Sequence, residues 1–233
     1  MKTTKLIVSL ILTTLLFSQF AAAQVSRPIK YKNGNVYNGN LDEATRPSGY
    51  GTMQFANGDR YDGMWKKGMQ DGEGTYYWAN GLVYSGEWKK NYIKGHGVFR
   101  FPNGNVMEGD WTGMGAGTGS LVWPDGTRYD GPFVNGAPHG HGVKVWANGD
   151  RYEGNFTQGH MMGQGTITFK DGTTYTGNWV NDHREGQGSC RYADGGHYEG
   201  MWFNDQFNGQ GSYTAPDGTQ LQGRFQAGKF VEE

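Results

Sequence analysis

One five-residue pattern, Tyr-x-Gly-x-Trp/Phe, returns along this chain at an almost constant interval, and it narrows the fold more than any other feature. It stands at Tyr61, Gly63 and Trp65 and comes back with its tyrosine at Tyr84, Tyr129, Tyr152, Tyr175 and Tyr198. Degenerate copies open at Tyr37, Met107 and Leu221, so the interval is 23 residues except for one of 24 and one of 22. Between copies lies a second motif, Gly-x-Gly, as at Gly49/Gly51, Gly72/Gly74, Gly140/Gly142 and Gly209/Gly211. Self-similarity at such a period signals stacked units that each need a neighbour to bury their apolar face. Eight full units and a truncated ninth fill residues 37–233.

Each unit reads as a β-hairpin. Tyr61, Gly63 and Trp65 alternate with Asp62 and Met64, the period of two of a strand with one protected face. Gly72, Gly74, Tyr76 and Trp78 share a face of the next strand, and the sixth position of that strand runs Phe55, Trp78, Phe101, Trp123, Trp146, Phe169 and Tyr192. The turns read Ala56-Asn57-Gly58, Pro102-Asn103-Gly104 or Pro124-Asp125-Gly126. A three-residue loop keeps proline out of the ladder and puts glycine in the left-handed bulge position. It sets Gly51 opposite Gly63 and Met53 opposite Tyr61, so that all ring columns share one face. Gly68, Asn91, Gly136, Gly159, Asp182, Asp205 and Gly228 hold the left-handed place of the other turn, and the fourth unit, a residue short at 113–116, is expected to be irregular.

Composition agrees with a ring-built layer and not with an aliphatic core. The chain has 41 Gly, 14 Tyr, 12 Phe and 8 Trp, with only 35% apolar residues. Rings lying over glycine troughs supply the buried area that leucines and valines usually do. The expected fold is all-β: an elongated, single-layer array of antiparallel hairpins.

The N-terminus reads as a separate unit. Lys2 and Lys5 precede an uncharged apolar run at 6–17 and the small residues Ala21, Ala22 and Ala23. This is the layout of a cleaved signal peptide over 1–23, with a retained membrane anchor as the alternative. It predicts a secreted or periplasmic protein, with a lead-in at 24–36 and the array at 37–233. Without Lys2 and Lys5 the charge is 19 basic against 22 acidic residues, a net of −3. Such a balance offers no electrostatic reason to bind nucleic acid and counts against an anionic membrane surface.

Tyr-x-Gly-x-Trp, then Gly-x-Gly, then Asn/Asp-Gly, at this period and over nearly the whole mature chain, resembles the MORN repeat family. The resemblance implies an elongated hairpin array with a ring-lined groove and a role as a scaffold for protein assembly, sometimes cradling a helix. Lipid-headgroup binding is a further role it implies. The export signal is unlike the many cytosolic members.

Few residues in the sequence are arranged for chemistry. His139 and His141, with His160 in the next turn, could converge on a metal, but their position in Gly-x-Gly is a variable exposed one, so no metal site is expected. The acidic residues after each tyrosine, such as Asp62, Asp130 and Glu153, read as a solvated surface. No serine lies in a nucleophile elbow, and no helix follows any Gly-x-Gly; no catalytic residue or cofactor is expected. Lys144 breaks an otherwise apolar column that includes Met53, Tyr76, Phe99, Leu121, Ile167 and Cys190. Either its stem packs and its ammonium reaches outward, or it places a cation in the groove beside Trp123 and Trp146. The leading expectation is a non-enzymatic scaffold for a protein partner, with Tyr61, Trp65, Tyr84, Trp88, Trp123, Lys144 and Trp146 as groove candidates. Glycan or cell-wall binding on the rings, membrane association, and homodimerisation through open sheet edges are the alternatives.

Overall fold

The computed structural model describes residues 28–231, so the signal-peptide reading of 1–23 lies outside the described residues. Those residues form one twenty-stranded sheet. Strands follow one another in chain order, each antiparallel to its neighbours, from Ile29–Lys30 paired with Val36–Leu41 through to Gln220–Gln226 paired with Lys229–Val231. No pairing joins the first strand to the last, so the layer stays open and elongated and does not close into a barrel. The sheet already begins at Ile29, so the described part of the 24–36 segment contributes a strand and a turn to it.

The register is the one that the three-residue loop demands. Gly51 faces Gly63, Met53 faces Tyr61 and Gln54 faces Arg60. At the loop itself the Gly58 N–H donates to the Phe55 carbonyl at 3.1 Å and the Phe55 N–H to the Asp59 carbonyl at 2.9 Å. Gly58 sits at φ 92°, in the left-handed region where a side chain is costly. The same pair of bonds recurs at Trp78, Phe101, Trp123, Trp146, Phe169, Tyr192 and Ala215.

The opposite turns have two residues, and both are left-handed: Lys67 and Gly68, Lys90 and Asn91, Asn181 and Asp182, Asn204 and Asp205. This is the type I′ hairpin, whose twist matches that of the strands it joins. The sequence reading identified only the second residue of each pair. Ordinary units also bulge just before this turn, Gly63 pairing with Gly74 and Trp65 with Gln70. The fourth unit departs as expected: Trp111 pairs directly with Gly117, and only Gly115 of its turn is left-handed.

Two rows of hydrogen bonds stitch unit to unit along the two turn edges. On one edge the Gly68 N–H donates to the Pro47 carbonyl, Asn91 to Gln70, Gly159 to Pro138 and Asp205 to Arg184. On the other, Asp59 Oδ1 accepts from the Ala79 N–H at 2.8 Å, and Asp150 Oδ1 from the Lys170 N–H at 2.9 Å.

Candidate partner-binding trough

The face that carries the glycines also carries the core. Each motif tyrosine lies flat across the glycine pair beside it: a Cβ placed on Gly63 would stand 2.6 Å from the Tyr61 hydroxyl oxygen. That hydroxyl donates to the carbonyl three residues on, Tyr61 to Met64 at 3.1 Å, Tyr37 to Asn40 at 2.8 Å and Tyr198 to Met201 at 2.9 Å. Burial alone would favour phenylalanine; the waiting carbonyl explains tyrosine. Each motif tryptophan then reaches back one unit, Trp65 Nε1 donating to the Gly51 carbonyl at 3.0 Å and Trp111 Nε1 to that of Gly97 at 2.8 Å. Trp65 wedges edge-on between Tyr37 (5.6 Å, 81°) and Tyr61 (5.1 Å, 90°), and Trp88 between Tyr61 and Tyr84 in the same way. The result is a continuous herringbone that seals the glycine troughs.

This packing revises the sequence-derived groove. Tyr61 and Tyr84 are completely buried and Trp65 and Trp88 nearly so, leaving them as the floor with almost no surface to offer a partner. Their neighbours in adjoining units supply the cover, a relation between units that the repeat pattern does not state. Trp123, Lys144 and Trp146, by contrast, are only half-buried, and the Lys144 ammonium lies beside both rings.

An open trough remains above this floor in the N-terminal half. Its volume is about 570 Å³, and its walls include Met53, Phe55, Tyr76 and Trp78 on one side and Gln70, Asn91, Tyr92, Ile93 and Met114 on the other. Met114 rises from it, 58% exposed, and Tyr92 borders it, 74% exposed, on the Lys89 side of a strand whose next residue, Ile93, is buried. Neither was singled out from the sequence. Both border the two-residue turns, so their place in the repeat was the signal available. A smaller hollow of about 170 Å³ continues the line between Leu82, Phe101, Met107 and Met114. A third, of about 440 Å³, lies at the far end among Tyr192, Phe207, Tyr213, Leu221 and Phe230.

Two cations interrupt the rings in the middle of the array. Arg184 lies over Trp202 at 4.4 Å and Tyr175 at 5.5 Å, and its Nε donates to Asp205 Oδ1 at 3.0 Å. Lys144 takes the column position filled by Tyr76 or Phe99 elsewhere, pairing across the ladder with Tyr129 and Tyr152. Its ammonium sits 4.9 Å from the Trp146 ring centre and 5.3 Å from that of Trp123. Burial holds its pKa below the usual lysine value, against the opposite pull of Asp182 and Asp125. Among the described residues no carboxylate reaches it at ion-pair distance, whereas Arg184 has Asp205.

The other face is a solvated polar surface. Arg60 pairs with Asp62, Arg128 with Asp130 and Arg151 with Glu153, each at 2.6–2.7 Å. Exposed pairs of this kind add little stability. His160 bonds Asp182 at 2.6 Å and does not meet His139 or His141; among the described residues no three ligating side chains gather as a metal site.

The family profile described as the MORN repeat matches the chain eight times, at residues 45–60, 61–83, 84–106, 113–128, 129–151, 152–174, 175–197 and 198–220. The unmatched gap covers Met107, where the motif tyrosine is missing, and Trp111. No curated protein matches the sequence. Solved structures with some likeness include the TCP10 domain of Danio rerio CPAP, with TM-score 0.48 and 18% identity over 83% of this chain and 91% of that one. The same domain in complex with a peptide of Danio rerio STIL gives TM-score 0.46 and 19% identity over 84% and 92%. The SAS-4 TCP domain of Drosophila melanogaster in complex with a proline-rich motif of Ana2 gives TM-score 0.39 and 15% identity over 70% and 96%.

Proposed function

Because the chain belongs to the MORN repeat family, we propose that it is a non-enzymatic scaffold that docks a protein partner along its ring-lined trough. The observation that carries this reading is the open apolar channel of about 570 Å³ beside Tyr92 and Met114. Aromatic and methionine side chains around a concavity give large contact area with few rotors to freeze. The apolar run at 6–17 supports placing this activity at the cell envelope or outside the cell.

A photo-cross-linking residue placed at Trp78 or Met114 in the full-length protein tests the reading in the native compartment. Both positions should capture one and the same protein. Tyr50 and Met201, exposed on the opposite face, should not. Equal capture from both faces, or from neither, would remove the trough from consideration. Glycan binding has the weaker ground, since the motif tyrosines and tryptophans are buried and, of the half-buried rings, Trp123 and Trp146 have the Lys144 ammonium against them.

A further inference from the structure

Lys144 is the one groove cation whose charge the described residues leave unmatched. Arg184 is bound to Asp205, and Arg60, Arg128 and Arg151 on the other face each have their own carboxylate. The Lys144 ammonium lies against two indole faces, which attract a cation without neutralising it, and Asp182 and Asp125 act on it from beyond ion-pair distance. A half-buried, unpaired ammonium is costly to keep, so an incoming anion gains both the charge contact and relief of that cost. The position also lies on the line of the N-terminal trough. Lys144 shares the column of Tyr76, a wall of that trough, and strands spaced about 4.8 Å apart put it roughly 29 Å along the sheet from Tyr76, six strands away. That span is about nine residues of extended chain or about nineteen of helix.

Resting on the docking reading above, we infer that the occupant is a protein segment with an apolar stretch followed by a carboxylate side chain. The apolar stretch seats beside Trp78 and Met114, and the carboxylate meets the Lys144 ammonium between Trp123 and Trp146. The channel walls favour a peptide over a sugar: Met114 presents an exposed thioether among the half-buried rings of Phe55, Tyr76 and Trp78, and of the two amide side chains there Gln70 is buried. Charge at one end gives the segment a direction, because reversing it would set the carboxylate among rings and leave Lys144 unmatched.

Selection of random 16-residue peptides displayed on phage against the immobilised full-length protein tests this, followed by titration of the recovered peptides. Apolar sequences should be enriched with Asp or Glu at one end. Lys144→Gln should weaken the recovered peptide about tenfold, and Lys144→Glu should redirect the selection to Lys or Arg at that place. Lys144→Met keeps an unbranched stem between the indoles and reports the loss of charge should the Glu variant fail to fold. Apolar peptides enriched with no acidic preference, or bound equally by Lys144→Gln, would overturn the inference and leave the trough as a docking site. Peptides whose binding survives Trp78→Glu, or no enrichment at all, would overturn the docking reading as well. Polygalacturonate binding that depends on Lys144, in the absence of acidic peptides, would reassign the site to an anionic glycan.

Discussion

A methyl group added to Gly74 would have to share the space of the Tyr61 ring, and one on Gly63 would also press on the backbone at Gly74. The ring is held from both ends, by its strand and by its hydroxyl bond to Met64, so it cannot swing away cheaply. Gly74→Ala is therefore expected to lower stability by about 1–3 kcal/mol through overpacking. Tyr61→Phe, which removes only a hydrogen bond, should cost about 1 kcal/mol. Urea midpoints of the two variants should fall in that order, and an Ala variant as stable as the parent would refute the ring-over-glycine account. The pairing of glycine with tyrosine was legible from alternation alone, because a period of two and a fixed loop length decide which residues oppose each other. The hydroxyl bonds that select tyrosine were not legible, since the accepting carbonyl is backbone and carries no residue signature.

At the level of hairpin and turn, Asp59 shows what a linear motif conceals. In sequence it is a polar residue after a turn, the sort that usually faces water. In the sheet it is 7% exposed and takes hydrogen bonds from the Ala79 N–H (2.8 Å), the Tyr76 hydroxyl (2.7 Å) and the Asn57 amide (2.8 Å). Burial pushes its carboxyl pKa up, but these donors outweigh it and hold the group below the usual aspartate value. Its contribution is thus present above the unfolded pKa of about 3.9 and is lost as pH falls through the lower folded value. Asp59→Ala removes the acceptor of all three donors and should cost about 1–3 kcal/mol. The difference between parent and variant, followed by denaturant unfolding, should shrink as pH is lowered below about 4; a pH-independent difference would assign the loss to packing. Asn91, Asp182 and Asp205 carry the same lesson: read as residues tolerant of left-handed backbone, they also accept the N–H groups of Gln70, Met161 and Arg184 in the preceding unit.

Over the whole array, one tyrosine after another is buried in the same way. Burial pushes Tyr37, Tyr129, Tyr175 and Tyr198 up to about 12, and Tyr61, Tyr84 and Tyr152 higher still. Unfolded tyrosines ionise near 10, so their joint contribution is complete below about pH 10 and drains away as pH climbs toward the folded values. Absorbance of tyrosinate and circular dichroism should then change together in one steep step above about pH 10. Gradual ionisation with the dichroism intact would show the rings to be accessible. Period, register and the all-β array were readable because they follow from local alternation and turn chemistry. Which rings end up enclosed was not, because that depends on how each hairpin leans on the next. The chain-order pairing of strands has one more result. Every strand runs across the long axis, so the ladder bonds lie along it, and tension applied at the two ends loads them one rung at a time. Under load the molecule would peel strand by strand, paying out roughly 80 Å of chain per 23-residue unit at low force. Pulled end to end, it would yield like a compliant tether and not hold like a strut.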